Sequence, residues 1–154
     1  MRRETQEDLD REAAILDAFC SEWRCTWRKL GNGGKYRIDA VLERNGEVVA
    51  WAEVKSHGGS FAGLNVPKYM EMYHLGQLTG VPAFFLLSRG GRLGYITVWD
   101  QVWVGAEPTL KVTGGTPAGR KPLPDDIEPM MMFKDSDIKW VKTAVPPAGQ
   151  PVSA

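Results

Sequence analysis

The segment from Tyr36 to Lys55 constrains the fold more than any other, because it reads as two strands joined by a tight turn. Tyr36 to Glu43 forms the first strand, the apolar run Val48-Val49-Ala50-Trp51-Ala52 lies in the second, and Arg44-Asn45-Gly46 between them is hairpin chemistry. Side chains alternate between the faces of a strand, so Val49, Trp51, Glu53 and Lys55 share one face. Val48, Ala50, Ala52 and Val54 share the other. The turn decides which face Asp39 joins. A two-residue Asn45-Gly46 loop sets Asp39 opposite Ala52 and turns it away from Glu53. A three-residue loop with Gly46 in a G1 bulge sets Glu43 opposite Glu47 and Asp39 opposite Trp51. Asp39, Glu53 and Lys55 then lie together, and Ile38, Ala40, Leu42, Val48, Ala50, Ala52 and Val54 form one apolar surface. The bulged hairpin is therefore expected, although Glu43 facing Glu47 is mildly unfavourable.

An acidic residue, a spacer and then Glu53-Val54-Lys55 at adjacent strand ends resembles the PD-(D/E)XK nuclease superfamily, and the order of elements is similar to archaeal-type Holliday-junction resolvases. Ile38, where the family name has proline, is the one departure in the motif. By itself an exposed Glu-x-Lys pair is an ordinary solvated charge pair; the apolar strand before it and the shared face with Asp39 give it weight. The resemblance covers Thr5 to Trp99. It implies an α/β fold with a central mixed β-sheet flanked by helices, a restriction-endonuclease-like core.

The first helix opens on Thr5-x-x-Asp8, a capping-box variant, and Leu9, Ala13, Leu16, Cys20 and Trp23 recur at helical spacing as a core stripe. At ~100° per residue Glu12 lies nearer the centre of that stripe than Asp8, Asp10 or Asp17. It is the helix acid best placed to reach the sheet; a solvated boundary residue is the competing reading. By resemblance Glu12 is the helix glutamate that helps organise metal or water.

Cleavage of a phosphodiester builds negative charge on phosphoryl oxygens and needs an activated water held in line. A hard divalent cation meets both needs with oxygen ligands, so Mg²⁺ is the expected ion, with Mn²⁺ as a substitute. Asp39 and Glu53 are the candidate carboxylate ligands. The resemblance adds the Val54 backbone carbonyl, and Lys55 is expected to stabilise developing charge or orient the water. Zinc and thiol chemistry have little support, since Cys20 and Cys25 form no Cys-x-x-Cys pattern and the only histidines are His57 and His74.

With 154 residues and 43% hydrophobic content the chain can bury a single core without disulfides. Two cysteines and no apolar signal or membrane-length run point to a cytoplasmic, reducing setting without a membrane partner. Nineteen basic and nineteen acidic residues cancel, so affinity for DNA must be local. Arg24, Arg28, Lys29 and Lys35, with Lys68 further on, are the expected DNA contacts; each is also an ordinary solubilising charge.

Further along, Thr26 to Leu30 reads as a strand, Ser56 to Asn65 as a flexible loop, and Pro67 to about Thr79 as a helix with Tyr69, Met72, Tyr73 and Leu75 or Gly76 inward. Ala83 to Leu87 is a buried strand parallel to the Glu53 strand through that helical crossover, and Leu93 to Trp99 follows it. A single domain is expected over 1–144, with a core of about 5–104, an arm of 105–144 and a disordered tail of 145–154. The arm folds back on the domain or packs on a second copy, and a homodimer would present paired sites. The expected activity is metal-dependent endonuclease cleavage, with branched recombination DNA as the favoured substrate. A duplex-specific restriction or repair nuclease and a non-catalytic DNA-binding protein on the same scaffold are the alternatives.

Overall fold

A computed structural model describes residues 5–30, 37–55, 62–98, 106–112 and 127–146, with the backbone alone for 106–112 and 127–129. Helix α1 (Gln6–Trp23) begins with the predicted capping box: Asp8 N–H donates to Thr5 Oγ1 and Thr5 N–H to the Asp8 carboxylate, both at 3.1 Å. It ends at Arg24, whose left-handed φ of 55° terminates the helix. Its buried face is rotated from the predicted stripe. Asp8, Glu12, Ile15, Leu16, Phe19 and Cys20 are buried, whereas Leu9 and Ala13 are half-buried and Trp23 is 38% exposed. Phe19 explains the rotation, because its ring inserts against Phe84 and Tyr95 at 5.3 and 5.6 Å and brings Ile15, one turn earlier, inward with it.

The main sheet holds β1 (Thr26–Lys29), β2 (Ala40–Arg44), β3 (Glu47–Lys55), β5 (Ala83–Arg89), β6 (Arg92–Val98) and β9 (Lys139–Ala144), side by side in that order. Between β3 and β5 the chain passes through β4 (Gly63–Asn65) and helix α2 (Val66–Thr79), which makes β3 and β5 parallel while the other neighbours are antiparallel. The sheet is thus mixed, as expected. A second sheet, in the order β4, β8 (Ile127–Phe133), β7 (Ala106–Val112), lies outside it. Gly63 to Asn65, assigned to a flexible loop by sequence, pairs with Met130 to Met132 of β8. Ser56 to Phe61, the remainder of that loop, lies outside the described residues. Asn65 caps α2, accepting from Lys68 N–H at 2.7 Å, and Tyr69, Met72, Leu75 and Gly76 are its buried positions. Residues 147–154 of the expected tail also lie outside the described part; Val145 N–H donates to the Gly91 carbonyl at 2.8 Å.

The β2–β3 hairpin corrects the predicted turn. The loop has two residues, Asn45 and Gly46, both left-handed at φ 53° and 79°, with Arg44 opposite Glu47. That turn matches strand twist and avoids setting Glu43 against Glu47. Alone it would direct Asp39 away from Glu53. The pairing, however, shifts from Glu43–Val48 to Leu42–Ala50, so Val49 is an extra residue in β3. From there Val41 faces Trp51 and Ala40 faces Ala52, and the same register carries Asp39 beside Glu53. A bulge inside the strand, not in the turn, brings the acids to one face. Two residues leave the predicted apolar surface as a result. Val48 is 38% exposed at the bulge, and Ile38, which precedes β2 and escapes its alternation, packs on the opposite side of the sheet.

Ile15, Leu16 and Phe19 of α1 cover one face, packing with Ala40, Leu42, Ala50, Ala52, Phe84, Leu86 and Leu93. Tyr69, Met72 and Leu75 of α2 cover the other, with Ile38, Phe85, Leu87 and Val98 beneath and Met131 and Phe133 joining from β8.

Candidate active site

The α2-side layer opens into a cleft of about 310 Å³ at the carboxyl end of β3, lined by Glu53, Val54, Lys55, Asn65, Lys68 and Phe85. Asp39, immediately before β2, is fixed at both ends. Its carbonyl accepts from Leu30 N–H at 3.0 Å, and its carboxylate accepts from Val54 N–H at 2.8 Å. Backbone groups alternate in direction along a strand, and Trp51 N–H points to β5 by bonding the Pro82 carbonyl. Val54, three residues on, therefore aims both its N–H and its carbonyl at the Asp39 flank.

Glu53 is half-buried with its side chain 14% exposed, and its pKa is pushed up to about 9. Burial is the largest cause, followed by a hydrogen bond to Asp39 and the charge of that carboxyl; the Lys68 ammonium works in the opposite direction. Lys68 Nζ sits 3.3 Å from Glu53 Oε2 and 3.0 Å from Glu71 Oε2, and also donates to the Arg37 carbonyl. Burial opposes charge on Lys68, but Glu53 and Glu71 outweigh it and raise its pKa. Burial likewise opposes charge on Glu71, which is nonetheless held low by the Arg37 N–H at 3.0 Å and by Lys68. Despite the ion pair, Glu53 Oε2 is buried and has no aligned hydrogen-bond donor among the described residues.

The structure thus brings Glu53, Val54 and Lys55 to one cleft and sets Asp39 against them through the Val54 amide and the Glu53 carboxyl. Glu12 is elsewhere: it is buried and ion-paired with Lys29 at 2.8 Å on the α1 side, while Asp39 and Glu53 face α2. Of the expected DNA contacts, Lys29 is engaged by Glu12, and Arg28 is paired with Glu43 at 2.9 Å. Arg24 is the exposed cap of α1, and Lys35 lies outside the described residues. Lys68 is in the acid site itself. Glu71 was missed by sequence reasoning. Its signal was the spacing Lys68-x-x-Glu71 on a helix capped by Asn65, which sets both side chains on one flank of α2.

A family model described as "Phage putative PDDEXK endonuclease" matches residues 1–141. The chain belongs to that family. Among solved structures, the chain is similar to Archaeoglobus fulgidus Hjc, a Holliday junction resolvase, at 14% identity over 57% of this chain and 75% of that one, with a TM-score of 0.46. No curated protein matches it. PD-(D/E)XK nucleases generally use divalent metals, and the donors here fit one. Asp39, Glu53 and the Val54 carbonyl are all hard oxygen donors, and Glu53 Oε2, although ion-paired with Lys68, has no aligned hydrogen-bond donor among the described residues. Among the described residues no three His, Cys, Asp or Glu side chains form a metal-binding group, and the candidate side-chain ligands are the two carboxylates of Asp39 and Glu53. That suits an ion which keeps several waters.

Proposed function

We propose that this family member is a divalent-metal-dependent DNA endonuclease that uses Mg²⁺, accepts Mn²⁺, and acts on branched recombination intermediates. The observation that carries the reading is the convergence of Asp39 with Glu53, which lines the cleft beside Lys55 with one oxygen sealed from solvent. When bound, the ion would supply Lewis-acid stabilisation of phosphoryl charge and make a water nucleophilic at neutral pH.

The chain's own groups do the rest. Asp39, immobilised through the Val54 and Leu30 amides, fixes one ligand position without a rotamer search. Glu53 must lose its proton to act as the second ligand, and Lys68 stands beside it to balance the charge that loss creates. Lys55 lies on the same strand face, where its ammonium stabilises the phosphoryl oxygens or orients the water. Water adds to phosphorus, one ester P–O bond breaks, and the proton passes to the departing oxygen. Phe85 supplies an apolar part of the cleft lining. Glu12 supports this edge indirectly by holding Lys29, which faces Ala40 next to Asp39.

A homodimer acting in the cytoplasm would offer two such sites to the two strands of one junction. Cleavage of a four-way junction and of a linear duplex with the same arms, in Mg²⁺, Mn²⁺ or chelator, tests the reading against Asp39→Asn. Metal-dependent cutting of the junction that Asp39→Asn abolishes supports it. Equal cutting of both forms would replace branch selectivity with duplex action, and no cutting of any DNA with either ion would reject the endonuclease.

A further inference from the structure

We propose that Arg89, Arg92 and Trp140 form a phosphate-binding site that carries the DNA backbone across the β5–β6 hairpin, away from the acid pair. The inference rests on the endonuclease reading and adds the path of the substrate. Strand register supplies the placement. Glu53 pairs with Phe85 and Lys55 with Leu87, so Arg89, two residues on, shares their face of the sheet. Arg92 is directly opposite Arg89, and Trp140 is opposite Gly94 on the next strand. With strands about 4.8 Å apart and a rise of about 3.3 Å per residue, Arg92 lies roughly 12 Å from Lys55. That is the span of about three phosphates at 3.4 Å of axial rise each.

The hairpin itself is built at a cost that packing does not explain. Two like charges directly across a strand pair repel, yet Arg89 and Arg92 are so placed. Asp135 pairs with Arg89, and both guanidinium groups lie over the Trp140 ring, at 5.4 Å for Arg89 and 4.7 Å for Arg92. Trp140 is seated there because position 94 is glycine. A Cβ at Gly94 would fall 2.9 Å from the Trp140 ring and 2.6 Å from Ile138 Cγ2. Gly90 and Gly91 turn the hairpin in left-handed conformations and put no side chain at its tip. Arg92 is exposed, and its fork, steadied on an indole, matches the planar oxygen pair of a phosphate diester.

Binding of a labelled four-way junction and of its linear duplex to the full chain tests this, in the Asp39→Asn background with Ca²⁺ and a series of NaCl concentrations. Arg92→Gln is expected to weaken binding about tenfold and to reduce the slope of log K against log salt by about 0.9, the share of one phosphate contact. Arg92→Lys should keep the slope and recover part of the affinity. A melting temperature unchanged from the parent excludes unfolding as the cause. If Arg92→Gln binds like its parent at every salt concentration, this path is wrong while the endonuclease reading stands. If the Asp39→Asn parent binds neither DNA, both readings fall.

Discussion

The two faces of β3 share one backbone and differ in what lies above them. On the α1 side Ala50 and Ala52 are small and buried under Ile15, Leu16 and Phe19, and the buried Glu12 of that helix is paired with Lys29 at 2.8 Å. On the α2 side Trp51 begins as packing, but Glu53 and Lys55 end in a cleft that α2 and β4 border. The α1 side holds its carboxyl, Glu12, in a direct ion pair with Lys29, whereas on the α2 side burial and the neighbouring Asp39 carboxyl outweigh Lys68 and push the Glu53 pKa up to about 9. The single residue Val49 decides which side receives the acids, because one extra position in a strand exchanges the two faces.

Deleting Val49 would break this contrast most completely. It should set Asp39 and Glu53 on opposite faces, remove cleavage altogether and lower the melting temperature, because the Ala50 and Ala52 layer is also displaced. Asp39→Asn should cut the cleavage rate roughly a thousandfold while leaving the circular dichroism spectrum intact, since it removes a ligand and not a packed group. Glu12→Gln, on the far side of the sheet, should cost much less; equal losses from the two variants would place Glu12 among the reacting groups. The paired substitutions Phe84→Ala and Phe85→Ala should each destabilise by about 3–5 kcal/mol in denaturant titration. Only Phe85→Ala should also slow cleavage at full occupancy of the fold, because only Phe85 lines the cleft. Gly94→Ala should destabilise by about 1–3 kcal/mol through the clash with Trp140 and Ile138.

Stability is also expected to depend on pH. With its pKa raised from 4.5 to about 9, Glu53 keeps a proton in the folded chain that the unfolded chain has lost. This contribution to metal-free stability is complete below 4.5 and declines as pH rises through 9. Thermal melts should show that decline flattened in Glu53→Gln; an unchanged profile would assign the pH response to other groups.

Much of this was legible in the chain because local rules are strong where composition is extreme. The alternation from Val48 to Lys55, the Pro67 helix start and the apolar run from Ala83 announced β3, α2 and β5 and their parallel pairing. The hairpin register was not legible. Turn length and an internal bulge can compensate for one another, and both solutions join Asp39 to Glu53, so the face pattern alone does not separate them. The second sheet escaped because β4 has three residues and depends on a partner more than sixty residues away. Lys68 read as a DNA contact or a solubilising charge, and its place in the acid site escaped for the same reason: its partners Glu53 and the Arg37 carbonyl meet it only in the folded molecule.

The most direct test of the central claim is calorimetric titration of the chain with Mn²⁺ at pH 7 in two buffers of different ionisation enthalpy. Binding at one Asp39-dependent site should release close to one proton, the one Glu53 carries before the ion arrives. Binding without proton release, or binding that Asp39→Asn leaves unchanged, would contradict a cation held between these two carboxyl groups.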